Sequence, residues 1–89
     1  MSHREDYAKI KEQHPDNITL LRIGDFMEAF DDDARTVAKV CDIVLCFQPI
    51  GDKRVPLAGF PYWQTEQRVQ QLLDAGYKVA IGEYRDTKG

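Results

Sequence analysis

Apolar residues along this chain fall into two spacings. From Asn17 to Ile23 the run NITLLRI packs Ile, Leu, Leu and Ile around one Thr and one Arg, which reads as a largely buried strand. Gly24-Asp25 interrupts it. FMEAF (26–30) then alternates, with Phe26, Glu28 and Phe30 on one face and Met27 and Ala29 on the other. Two such runs joined by a Gly-Asp break predict a hairpin. At 31–42 the spacing lengthens: Ala34, Val37, Ala38 and Cys41 recur at i, i+3, i+4 and i+7, the apolar stripe of a helix. An Asp among 31–33 is expected to cap that helix, at the positive end of its dipole.

The remaining segments follow the same two periods. IVLCF (43–47) predicts a buried third strand, and QPIGDKR after it a turn-rich loop, the most mobile segment expected. VPLAGFP (55–61) is a fourth extended piece, which its prolines hold near a sheet edge or a bend. In WQTEQRVQQLLDAG a helix capped near Thr65 carries Val69, Leu72 and Leu73 as its stripe and Gly76 as its C-terminal cap. YKVAIGEYR (77–85) is the last strand, and 86–89 should fray. At the N-terminus, Ser2 with Glu5 forms a capping-box pattern, Tyr7, Ile10 and Lys11 follow at helical spacing, and Pro15 ends the element.

The order is α-β-β-α-β-β-α-β. Strands alternating with helices, but with a hairpin early, predict an α/β fold: a mixed sheet of about five strands packed against three helices. With 89 residues the chain reads as one domain over 1–89, and a domain this size buries only roughly 60–65% of its unfolded surface. Apolar content of 43% against 30% charged fits a globular protein rather than a disordered one.

Charge narrows the choice of partner. Residues 1–46 carry six Lys/Arg against ten Asp/Glu, net −4, and residues 47–89 six against five, net +1. With no basic block, nucleic-acid binding must come from local geometry rather than from the overall field. Cys41 and Cys46, with no histidine near them, make a poor zinc site and read as reduced, partly buried thiols. No metal and no cofactor are expected. No apolar run approaches the roughly 18 residues of a membrane span and no signal pattern opens the chain, so no membrane is expected and the cytoplasm is the default location.

Catalytic motifs fail one by one. There is no phosphate-binding G-x-x-x-x-G-K-[ST], since Gly51-Asp52-Lys53-Arg54 lacks the second glycine and the hydroxyl. His3 and His14 read as solvated, with no Ser/His/Asp arrangement around them. Glu83-Tyr84-Arg85-Asp86 only faintly suggests a nuclease centre. The chain therefore reads as non-enzymatic.

Four stretches taken together, YAKIKEQHPD, LLRIGDFMEAFDDDA, VPLAGFPY and YKVAIGEY, resemble the N-terminal mismatch-recognition domain (domain I) of the MutS family of DNA mismatch repair proteins. They occur in that family's order and spacing and cover nearly the whole chain; GDF-x-E-x-F followed by DDA, then P-x-AG-x-PY, is a specific combination. The resemblance implies that the Phe-x-Glu pair, here Phe26 and Glu28 with Met27 between them, enters the minor groove at a mispair, the ring stacking on the base and the carboxylate bonding to it. Phosphate contacts supply much of the affinity of any DNA binder, and with three or four usable cations, Arg22, Lys53, Arg54 and Arg68, the isolated domain is expected to bind duplex weakly. Two departures stand out. The segment after the third strand, often basic in the family, reads CFQPIGDKR and delays its cations to Lys53 and Arg54, and Trp63 follows PY where a histidine is common. The family's clamp and ATPase domains have no counterpart in the 89 residues.

On physical grounds the pair makes sense. Residues i and i+2 of a strand share a face about 6.5–7 Å apart. Unstacking a base step costs a few kcal/mol and stacking on an aromatic returns roughly 1–3 kcal/mol, so insertion succeeds where a mispair has already weakened the stack. A carboxylate among phosphates adds discrimination rather than affinity, by accepting a bond from a base or by being protonated itself. On residue pattern alone, however, Phe26 reads as an ordinary core ring beside an exposed glutamate. The leading expectation is a module sensing mispaired or looped duplex DNA, weakly when alone, with a repair-protein partner or self-association supplying further affinity. The alternative is a protein-interaction module that kept the fold and lost DNA binding.

Overall fold

The structure, a computed structural model, describes residues 3–83. The Ser2 capping box, the end of the last strand at 84–85, Asp86 and the fraying of 86–89 lie outside the described residues. The chain forms α1 (His3–Gln13), β1 (Asn17–Ile23), β2 (Phe26–Phe30), α2 (Asp31–Cys41), β3 (Cys46–Ile50), β4 (Lys53–Pro61), a single 3-10 turn (Tyr62–Gln64), α3 (Thr65–Asp74) and β5 (Lys78–Glu83). This is the expected α/β architecture. The five strands make one mixed sheet in the order β3-β4-β2-β1-β5, with β1 and β5 parallel and the other pairs antiparallel.

Strand parity sorts the core into two layers. Ile18, Leu20, Met27, Ala29, Ala58 and Phe60 meet Ala34, Val37, Cys41 and Leu72 of α2 and α3 on one face. On the other face Leu21 and Phe30 lie under Tyr7 of α1, with Ile10 and Ile23 around them. Helix α1 approaches β5 so closely that a Cβ on Gly82 would stand 2.1 Å from Ile10 Cδ1. Among the described residues no helix is long and apolar enough to cross a membrane.

Both hairpins turn on Gly-Asp. Gly24 (φ +61°) and Gly51 (φ +63°) each take the first of two turn positions, where a type II′ hairpin requires a positive φ that glycine adopts without strain. The second hairpin corrects the expectation of a loop at 48–54: that segment is β3 and β4, paired from Ile50↔Lys53 to Cys46↔Leu57. The buried third strand is corrected too. Residues 43–45 have no regular structure, and β3 begins at Cys46 and is exposed throughout. Asp42, in the left-handed region at φ 55°, closes α2, and Ile43 and Leu45 pack on the core without pairing.

β4 is an interior strand for most of its length, yet its prolines obey the ladder. Pro56 has no N–H to give, so Phe47↔Pro56 must be a non-hydrogen-bonded pair, and the nitrogen of Pro56 faces the side where β2 has already ended at Phe30↔Leu57.

Helix starts also depart from expectation. No side chain caps α2 at Phe30. Asp31 turns the chain at φ 57° and pairs with Arg4 through two 2.8 Å contacts. Asp33, buried, accepts hydrogen bonds from the Tyr7 hydroxyl, from Lys11 Nζ at 3.0 Å and from the Thr19 amide at 3.1 Å. It is a tie between α1, β1 and α2 rather than a cap. At α3, Thr65 is the first helical residue and its hydroxyl bonds back to the Tyr62 carbonyl, while Gly76 (φ +95°) and Tyr77 bond to the Leu73 and Leu72 carbonyls, a Schellman closure. Leu73 of the expected stripe is 47% exposed. Of the two thiols, Cys41 is buried and Cys46 exposed; His14 is exposed.

Candidate nucleic-acid interface

Phe26 opens β2 directly after the Gly24-Asp25 turn, and its ring is 48% exposed. It is not a core residue. Its backbone is held on both sides, by pairing with Ile23 of β1 and with Pro61 of β4. The Tyr62 amide then donates to the Asp25 carbonyl at 2.8 Å, tying the turn to the end of β4. Arg22 reinforces the same turn: its Nε donates to the Gly24 carbonyl at 3.1 Å and its guanidinium lies 3.8 Å from the centre of the Tyr62 ring. An exposed aromatic thus stands on a braced hairpin.

Glu28 follows on the same face, half-buried, with Gly59 directly across on β4. A side chain at 59 would start 3.1 Å from the Met27 carbonyl and 3.3 Å from Glu28 Cγ, so glycine there leaves the carboxylate room. Glu28 lies in a cleft of about 310 Å³ whose floor is Ile23, Glu28 and Phe30, with Gln48 and Ile50 of β3 on one side and His3 and Arg4 of α1 on the other. Burial pushes its carboxyl above the ordinary value, and the nearby His3 charge pulls the other way.

The other expected contact residues do not gather around this pair. Met27 is 2% exposed and belongs to the core beneath the strand. Alternation places it opposite Phe26 and Glu28, so it supports the strand from within and is corrected as a surface contact. Arg22 projects on Met27's face, across from it in the ladder. Arg68 is also on the α3 side, bonded to the Cys41 carbonyl at 3.1 Å and to Gln64 and Gln71; it satisfies the C-terminal end of α2. Lys53 shares the face of Phe26 and Glu28 by parity, far along β4 from Phe26's partner Pro61, while its neighbour Arg54 points to the opposite face.

Gln48 and Ile50 were not anticipated at this site. Their signal is the alternation of CFQPI, concealed by reading Pro49 and Gly51 together as a loop. Trp63, 68% exposed, leans edge-on against Tyr62 at 5.5 Å. Among the described residues no group of three or more His, Cys, Asp or Glu could hold a metal ion.

The sequence profile of the family described as MutS domain I matches residues 2–89. The protein named DNA mismatch repair protein MutS from Thermotoga neapolitana is 51% identical over 77 residues, covering 86% of this chain and 9% of that protein. Proteins of the same name from Nitratidesulfovibrio vulgaris and Geobacillus kaustophilus are 46% and 44% identical, each over 89% of this chain and 9% of their own length. The chain therefore spans about a tenth of the length of the curated relatives it matches. A profile that matches residues 2–89, with relatives this similar over most of the chain, leaves one conclusion: the chain belongs to the MutS domain I family.

Proposed function

We propose that residues 1–89 act as one non-enzymatic DNA-binding unit in mismatch repair, sensing mispaired or looped duplex through Phe26 and Glu28. One observation carries the reading: a half-exposed ring beside a half-buried carboxylate, on a strand paired on both sides. In this reading the ring tests whether a base step parts, and the braced turn keeps it from folding back. The carboxylate bonds to the base exposed by that parting. Because burial raises the Glu28 carboxyl, protonation is easier there than on an open surface. The protonated form gives a base a hydrogen bond without repelling phosphates.

Affinity is modest in this reading, because Arg22 and Arg68 are committed on the other face. A partner chain or self-association supplies the rest. The competing reading, a protein-interaction module without DNA binding, is favoured by large exposed apolar side chains, Trp63 at 68% and, on that other face, Ile81 at 53%.

The test is binding at low salt to matched, G·T-mispaired and one-base-loop duplexes. The sensor reading expects preference for the distorted duplexes, and loss of that preference in Phe26→Ala with affinity for them falling roughly tenfold or more. Glu28→Ala should reduce discrimination more than affinity. Equal binding to all three duplexes, unchanged in both variants, would leave the interaction module as the better account.

A further inference from the structure

A second aromatic stands exposed on the opposite side of the sheet. Phe47 of β3 pairs with Pro56, and alternation along β4 puts both on the face of Ala58 and Phe60, away from Glu28. Its ring is 42% exposed. Two guanidiniums approach it from different elements: Arg35 of α2 at 5.9 Å from the ring centre and Arg54 of β4 at 5.8 Å. Both arginines are exposed, and among the described residues neither has a carboxylate partner within ion-pair distance. Lys39 lies one helical turn beyond Arg35 and is also exposed. The carboxylates nearest in sequence are Asp33, which is buried and paired with Lys11, and the exposed Asp32, Asp42 and Asp52.

From this we propose that Arg35, Phe47 and Arg54 form a site for single-stranded nucleic acid, distinct from the Phe26–Glu28 surface. An exposed ring flanked by two cations matches what an unpaired strand offers: a base face to stack and phosphates to neutralise. Stacked duplex hides its base faces and does not fit. The edge of β3 also argues against a protein strand. Phe47↔Pro56 is a non-hydrogen-bonded pair, so Pro49↔Arg54, two residues on, is another. The outward backbone groups of β3 are then those of Phe47 and Pro49, and Pro49 has no N–H to offer a neighbouring strand.

The test measures binding of the whole chain to a fluorescent oligothymidine by polarisation, across a salt series. Phe47→Ala is expected to weaken binding about tenfold. Phe47→Leu, which keeps apolar bulk without a π face, should weaken it nearly as much, and Phe47→Trp should preserve it. Arg35→Ala with Arg54→Ala should flatten the dependence of log K on log salt by about 1.4. Thermal melting of each variant checks that the fold persists. The two readings are read with different ligands: loss of oligothymidine binding in Phe47→Ala supports this site whether or not the chain prefers mispaired duplex, so failure of the mispair reading leaves this one standing. Unchanged binding in Phe47→Ala, full binding in Phe47→Leu, or binding of an acidic peptide but not of oligothymidine would overturn it.

Discussion

Between Phe26 and Phe30 the strand alternates between two tasks. Phe26 and Glu28 look outward while Met27 and Ala29 fill the core. An aliphatic residue at 28 would suit the cleft better, because burial works against the carboxylate. The linkage has a definite sign. Glu28 titrates higher in the folded chain than in the unfolded one, so its contribution to stability is fullest below the unfolded carboxylate value and is lost as pH rises through the folded value. Glu28→Gln should therefore be more stable than the parent near neutral pH, by at most about 0.5 kcal/mol given the contact with water. The difference should close on acidification, as read from denaturant midpoints across pH. The same substitution tests the proposed protonation on DNA. The parent should bind a mispaired duplex more tightly as pH falls from neutral toward the Glu28 value, and Glu28→Gln should show a flatter dependence. A stability difference that widens with acid would mean that something other than burial governs this group.

At the scale of elements, the DDD run shows what can and cannot be read from a line of residues. Three acidic residues at the start of a helical stripe suggest a cap, yet they have separate fates. Asp31 turns the chain and holds Arg4, Asp32 is exposed, and Asp33 is buried against Tyr7, Lys11 and Thr19. Tyr7 and Lys11 share a face of α1 by their spacing, which is legible. That the face lands on a carboxylate twenty-odd residues later is a matter of packing, which is not. Burial first, and then the Asp33 hydrogen bond and charge, raise the Tyr7 phenol well above its ordinary value, so its proton remains in the tie. Asp33→Ala removes the acceptor of the Thr19 amide and leaves the Tyr7 hydroxyl only the Phe30 carbonyl and the Lys11 ammonium only the Asn17 carbonyl, and should destabilise the fold by about 2 kcal/mol in urea titration. Asp32→Ala should change it by less than about 0.5 kcal/mol. Equal effects would restore the capping account. The β3–β4 hairpin was missed for a related reason: proline and glycine two apart look like one loop, although only Gly51 turns the chain. IVLCF, in turn, was too short an apolar run for its period to place a strand. The first hairpin and the α2 stripe were legible because each rests on neighbours in sequence.

For the whole molecule the decisive quantity is how few cations reach the surface proposed for duplex DNA. The chain carries twelve Lys/Arg, but the sheet divides them. Arg22 is occupied with Tyr62 and the turn, Arg68 with the end of α2, and Arg4 with Asp31. Arg54 points to the opposite face, so of the cations expected at the site only Lys53 shares the face of Phe26. Each phosphate neutralised on duplex DNA contributes about −0.9 to the slope of log K against log salt. With one to three contacts the isolated chain should show a slope between about −1 and −3 on a mispaired duplex, whereas a binder making six or more contacts would exceed about −5. Polarisation titrations at increasing salt read this directly, and Lys53→Ala should reduce the slope by about one while leaving the preference for mispaired duplex intact. The two quantities separate because phosphate contacts act on every sequence alike and the ring acts only where a step can open. A slope steeper than about −5 would mean that the duplex lies across a different surface from the one bearing Phe26. Discrimination lost together with Lys53 would mean that the charge, rather than the ring, selects the site.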